Sequence, residues 1–124
     1  MLVEIPETRQ IPGEGYRRWF SDEKMDLIVW YRREGGALIG FQLCYDKDDR
    51  KQGEKALTWT EDEGYRHEKV DTGEDRGYTH KEAPVLVEGG AFDYGRIIRE
   101  FKNASASLEP PLKAFVLEIL SKYS

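Results

Sequence analysis

Residues 26–45, DLIVWYRREGGALIGFQLCY, place two apolar runs on either side of Gly35-Gly36, and their reading decides the fold. Val, Ile, Trp, Tyr and Phe are concentrated in residues 27–31 and 37–45. Branched and flat side chains suit a pleated, half-buried surface, so the two runs are expected to be the strands of one antiparallel hairpin. A three-residue loop of Glu34, Gly35 and Gly36, with a glycine in the left-handed conformation, sets Tyr31 opposite Ile39, Val29 opposite Phe41 and Leu27 opposite Leu43. That row is the expected core face. On the other face Ile28, Trp30, Leu38, Gly40, Gln42 and Cys44 lie together, with the Trp30 indole covering Gly40, which has no side chain of its own.

Working outward, Leu2 to Ile5 reads as a short edge strand, and Pro6, Pro12, Gly13 and Gly15 make residues 6–15 a loop or arm. Tyr16 to Phe20 is expected to pair with the sheet edge, burying Trp19 or Phe20 and leaving Arg17 and Arg18 wet. Lys55 to Thr60 returns as a long strand with Leu57 and Trp59 on one face. Tyr65 to Val70 continues the meander with Tyr65, His67 and Lys69 on one side; neither side is strongly apolar, which places this strand near an edge. Val85 to Val87 reads as a further short strand.

Beyond Gly89-Gly90 the apolar period changes from two to about 3.6. Phe92, Tyr94, Ile97, Ile98, Phe101 and Ala104 share one helical stripe, with Asp93 favourable in the first turn. Pro110 and Pro111 open a second helix, where a missing N–H is tolerated, with the stripe Leu112, Phe115, Val116, Ile119, Leu120 and Tyr123. The expected fold class is therefore α+β: an antiparallel β-meander of five to six strands followed by two C-terminal helices packed on one sheet face. Residues 1–124 read as a single domain, with 16–88 mostly sheet and 91–123 the two helices. The second sheet face is left for the N-terminal arm, a second copy or a ligand to cover.

A chain of 124 residues suffices to bury about two thirds of its unfolded surface without a staple or metal. Its net charge of -5 and pI near 5.1 argue against nonspecific binding to nucleic acid or an anionic membrane, both of which need Lys and Arg against phosphate. A protein partner, a basic one best, suits this balance. Cys44 is alone, so no intrachain disulfide forms, and its apolar strand suits a small buried thiol. No apolar run approaches the roughly 20 residues of a bilayer span, and MLVEIPETRQ lacks the pattern of a signal peptide. The expected location is cytoplasmic.

Chemistry-bearing groups are few. Cys44 and His67 are one pairing of thiol and base, though the local signatures of catalytic cysteines are absent. Asp46, Asp48 and Asp49 suggest calcium, but Arg50, Lys51 and Leu57 stand where an EF-hand needs a carboxylate, a glycine and its closing glutamate. His67 and His80 have no diagnostic zinc spacing. Gly89-Gly90 lacks a following lysine, and Asp93 opposes an anion there. No catalytic residue, metal or cofactor is assigned. Arg17, Arg18, Trp19, Arg32 and Arg33, with Trp30 and Tyr31, are the one place where cations and aromatics interleave, a combination able to hold a carboxylate, a phosphate or an acidic peptide.

The segments WFSDEKMDLIVWY, GFQLCYDK and ALTW, across about residues 19–59, resemble small conserved bacterial proteins without an assigned activity. The resemblance implies a bacterial source and carries over no catalytic residue or cofactor. The function expected from the residues is that of a non-enzymatic binding or interaction domain. It would hold a protein partner or a second copy through the face of Trp30, Gln42 and Trp59 or through the patch of Arg17, Arg18, Trp19 and Arg32. Two alternatives are a small-ligand protein or enzyme with a pocket around Gln42, Cys44 and His67, and an adaptor or immunity-type protein that meets a basic partner through acidic loops 46–54 and 71–75.

Overall fold

A computed structural model describes residues 1–49, 53–69, 85–86 and 93–123. Loop 71–75, residues 78–82 with His80, Gly89-Gly90 and Phe92 lie outside the described residues. The chain forms an antiparallel sheet in sequence order: β1 (Val3–Glu4), β2 (Tyr16–Ser21), β3 (Asp26–Tyr31), β4 (Leu38–Tyr45), β5 (Lys55–Thr60), β6 (Gly64–Lys69) and β7 (Val85–Leu86). Helices α1 (Tyr94–Ala104) and α2 (Pro110–Tyr123) follow and cover one sheet face, as the switch from period two to period 3.6 implies.

The register pairs Leu27 with Leu43, Val29 with Phe41 and Trp30 with Gly40, so the hairpin closes as its pattern requires up to Trp30. At the tip it departs. Tyr31 pairs with Leu38 rather than Ile39, and the register shifts between Trp30 and Tyr31. The Arg32 amide bonds to the Ala37 carbonyl at 2.8 Å and the Gly36 amide to that of Arg33 at 2.7 Å. The loop is therefore the four residues Arg33–Gly36, with Gly35 left-handed at φ 77°. Closing one residue earlier leaves Ile39 as the extra residue of a β-bulge, and its carbonyl accepts from the Glu61 amide at 2.9 Å.

The register runs on across the sheet. Phe20, Leu27, Leu43, Leu57 and His67 form one cross-strand row, and Arg18, Val29, Phe41, Trp59 and Tyr65 the next. Both rows face the helices. Ile97 and Phe101 of α1 and Leu112, Val116, Ile119 and Leu120 of α2 are buried with Leu27, Val29, Phe41, Leu43 and Leu57 in one core. Phe115 sets its ring edge-on to both Phe41 and Trp59, at centroid distances of 6.4 and 5.9 Å, a favourable geometry for aromatic quadrupoles. Leu2 plugs the end of this core, its amide bonded to the Ala104 carbonyl at 2.8 Å and its carbonyl accepting from the Ser107 hydroxyl at 2.7 Å.

Gly40 is fixed by close approach: a Cβ there would stand 2.7 Å from the Trp59 carbonyl oxygen and 3.0 Å from the Thr60 methyl. Gly40→Ala is expected to lower stability by about 1–3 kcal/mol, the usual cost of forced overpacking. Urea denaturation should show it as a lower midpoint at unchanged slope.

Candidate functional site

Alternation sorts the expected site residues onto two faces. The face away from the helices carries three rows: Ser21, Asp26, Cys44, Ala56 and Glu68; Trp19, Ile28, Gln42, Thr58 and Arg66; and Arg17, Trp30, Gly40, Thr60 and Gly64. Trp30 and Gln42 thus share a face, Gln42 donating to the Thr58 hydroxyl at 3.1 Å. Trp59 does not join them. It pairs with Phe41, points at the helices and packs on Phe115, which corrects the expected surface of Trp30, Gln42 and Trp59.

The same parity separates Cys44 from His67. Cys44 pairs with Ala56 on the open face, whereas His67 pairs with Leu57 on the helix face, so the expected pocket of Gln42, Cys44 and His67 does not assemble. Cys44 is 8% exposed. Burial, followed by the charges of Glu54 and Asp26, pushes its thiol above the ordinary range, the reverse of nucleophile activation. Glu54 is itself pushed up, first by burial and then by Asp26. His67 shares a hydrogen bond between Nε2 and the Tyr45 hydroxyl, stacks on the Tyr45 ring at 6.0 Å and meets the Tyr123 ring edge-on at 6.2 Å. Burial first and the Lys55 charge second hold it below the usual histidine pKa. It serves as a polar joint between sheet and α2.

The arginine-aromatic patch divides as well. Arg18, expected to be wet, lies on the helix face with Phe20, where its guanidinium stands 5.0 Å over the ring. It binds Glu4 through Nε and Nη2 (2.9 and 2.8 Å), Glu109 through Nη1 and Nη2 (3.1 and 2.8 Å), and the Tyr31 hydroxyl at 3.1 Å. The Glu4 and Glu109 hydrogen bonds hold Arg18 far above its ordinary pKa, and Arg18 holds Glu109 below the usual carboxylate range. This arginine ties β1 and β2 to the start of α2. Arg17, on the open face, is used by the N-terminal arm: Nε and Nη2 reach the Arg9 carbonyl at 3.2 and 2.6 Å. The Gln10 side chain pairs with both the amide and the carbonyl of Arg17, at 2.8 and 3.0 Å, as a neighbouring strand would. Trp19 is half-buried on this face, and its Nε1 has no hydrogen-bond partner among the described residues.

What the fold does assemble is a groove of about 750 Å³ at the Trp30 end of the open face. Trp30, half-buried, and Thr60 contribute its floor; Gly13–Gly15 of the arm form one wall and Glu61–Glu63, the β5–β6 turn, another, with Arg32 and Arg66 alongside. The arm reaches this place because residue 15 is glycine. Its φ is 74°, and a Cβ would stand 2.4 Å from the Tyr31 carbonyl oxygen. A second hollow of about 390 Å³, over Ile11, Pro12, Tyr16 and Arg33, shares Gly13, Gly15 and Arg32 with the first. Arg32 is paired with Glu61 and Arg66 with Glu68.

Of the expected site residues, Trp30 and Arg32 line the groove. Its acidic wall and Arg66 were not singled out by sequence, although Glu61-Asp62-Glu63-Gly64 is legible as a turn and strand alternation puts Arg66 opposite His67 in facing. Among the described residues no group of three His, Cys, Asp or Glu is placed to hold a metal ion, and no helix is long and apolar enough to cross a membrane. No protein-family model matches this chain, nor does any curated protein or solved structure.

Two outcomes check this geometry. The Cys44 thiol should be inert to Ellman's reagent in the native protein and react only at the rate of unfolding. His67, depressed in the fold, leaves the unfolded chain binding the extra proton, so its contribution to stability is complete above about pH 6.5 and falls as pH drops through that value toward the lower native pKa. The denaturation midpoint measured from pH 7.5 to pH 5 should accordingly fall less steeply in His67→Gln than in the wild type.

Proposed function

We propose that this chain is a cytoplasmic, non-enzymatic binding domain whose recognition surface is the groove over Trp30 on the sheet face opposite the helices. One observation carries the reading: a large indole is left half-exposed at the floor of a concave site, between an arm pinned to β2 by Gln10 and Arg17 and a turn pinned to β4 through Ile39. Indoles contribute much contact area with little rotamer entropy to lose, and they dominate binding energies when a partner desolvates them. The walls are held before a ligand arrives, which lowers the ordering cost of association. Supporting the non-enzymatic part, the thiol and the imidazole lie on opposite faces and the thiol is buried.

The test is selection from a displayed random-peptide library against the immobilised full chain, with counter-selection on Trp30→Ala. Peptides that bind the wild type and lose at least about tenfold in affinity to Trp30→Ala, a loss of about 1.4 kcal/mol, are the expected result. Melting of the variant within a few degrees of the wild type would show that the loss is local. Enrichment indifferent to Trp30 would overturn the assignment of the site, and a concentration-dependent dimer abolished by Trp30→Ala would make a second copy the partner.

A further inference from the structure

From the charge around the groove we infer the chemistry of its occupant: a basic side chain, arginine or lysine, presented by a protein partner. This rests on the reading of the Trp30 groove as a binding site. The two cations at the groove are already paired, Arg32 with Glu61 and Arg66 with Glu68. Glu14, Asp62 and Glu63 on its walls are exposed and carry no ion pair among the described residues. An anion entering here would meet three uncompensated carboxylates, whereas a cation would meet them as partners. The Trp30 ring supplies the complementary surface, because a guanidinium or ammonium is attracted to the face of an indole. A planar guanidinium can stack on the ring while its edge donates to a carboxylate. The overall charge of -5 would speed encounter with such a partner.

Among the described residues of loop 46–54, by contrast, Asp46 and Lys47 are compensated locally. There Asp46 is held by Arg96 through two hydrogen bonds of 3.0 Å and approached by Lys55, and Lys47 is bonded to Asp26 at 2.9 Å. Loop 71–75 lies outside the described residues.

The experiment titrates the uniformly ¹⁵N-labelled full chain with acetyl-Gly-Arg-Gly-Arg-Gly-amide, with its lysine counterpart and with its glutamate counterpart, reading amide and indole N–H resonances. The basic peptides should move the Trp30 indole and the amides of residues 60–66. Their binding should weaken at least about fivefold in Asp62→Lys/Glu63→Lys and on raising NaCl from about 50 to about 500 mM. Both substitutions lie in an exposed turn, so unchanged spectra elsewhere report an intact fold. Shifts scattered over the acidic surface without Trp30, or binding of the glutamate peptide in the groove, would overturn the inference. Silence from both basic peptides, while library-selected ligands still depend on Trp30, would also overturn it and leave the binding site standing. If no ligand of any charge depends on Trp30, both readings fall together.

Discussion

Everything in this structure depends on the two-residue alternation of an antiparallel sheet held in register from β2 to β6. The row Phe20, Leu27, Leu43, Leu57, His67 and its neighbour Arg18, Val29, Phe41, Trp59, Tyr65 give the helices a continuous apolar bed, ending in groups that can be paired at its margins. A slip of one residue anywhere would exchange the faces. Leu43 and Leu57 would go to water and Gln42 and Thr58 to the core, so the burial of the bed itself enforces the register. Because burial fixes the register, it also fixes which positions share the open face. Cys44 and His67 are kept apart by the same constraint that packs Leu43 on Leu57.

The fold was legible because its signals are local. Period two over 26–31 and 38–45, glycines at the loop and period 3.6 after residue 93 each appear within a short window. Trp30 opposite Gly40 was legible as well, since a strand glycine flanked by bulky residues implies a cover from the neighbouring strand. The bulge at Ile39 was not. Three- and four-residue closures of Arg33-Glu34-Gly35-Gly36 differ by one residue in a stretch where both register choices keep apolar groups paired. The choice is settled by the Glu61 amide on the Ile39 carbonyl, a contact 22 positions away.

The site was legible in part, for the same physical reason. Trp30 and Arg32 stand out as an aromatic beside a cation at the end of β3. Their neighbours Glu14, Glu61, Asp62 and Glu63 come from two other segments, and no periodicity announces that a loop at residues 13–15 and a turn at 61–63 meet at one end of the sheet. Arg18 misleads because it reads as a solvated charge; parity puts it on the helix face, and its pairing with Glu4 of β1 and with Glu109 at the distant α2 start explains why it is tolerated there. Residue type groups Trp59 with Trp30 and Gln42, and His67 with Gln42 and Cys44, whereas counting pairs through the Glu61–Gly64 turn sends both to the side of Leu57, which faces the helices.

The order of the chain adds a consequence of its own. The bed of Leu27, Val29, Phe41, Leu43 and Leu57 is complete once β5 has been made, but the part of its cover that carries Phe115, Val116, Ile119 and Leu120 comes later in the chain. At about 5–20 residues per second, the roughly 60 residues that separate β5 from the end of α2 take on the order of 3–12 s to translate. For that interval the nascent meander presents an apolar surface without the α2 side chains that cover it, and a holding chaperone or the ribosome surface is where such a surface would wait. A truncation that removed α2 would make the waiting state permanent, converting a folding intermediate into an aggregation-prone product.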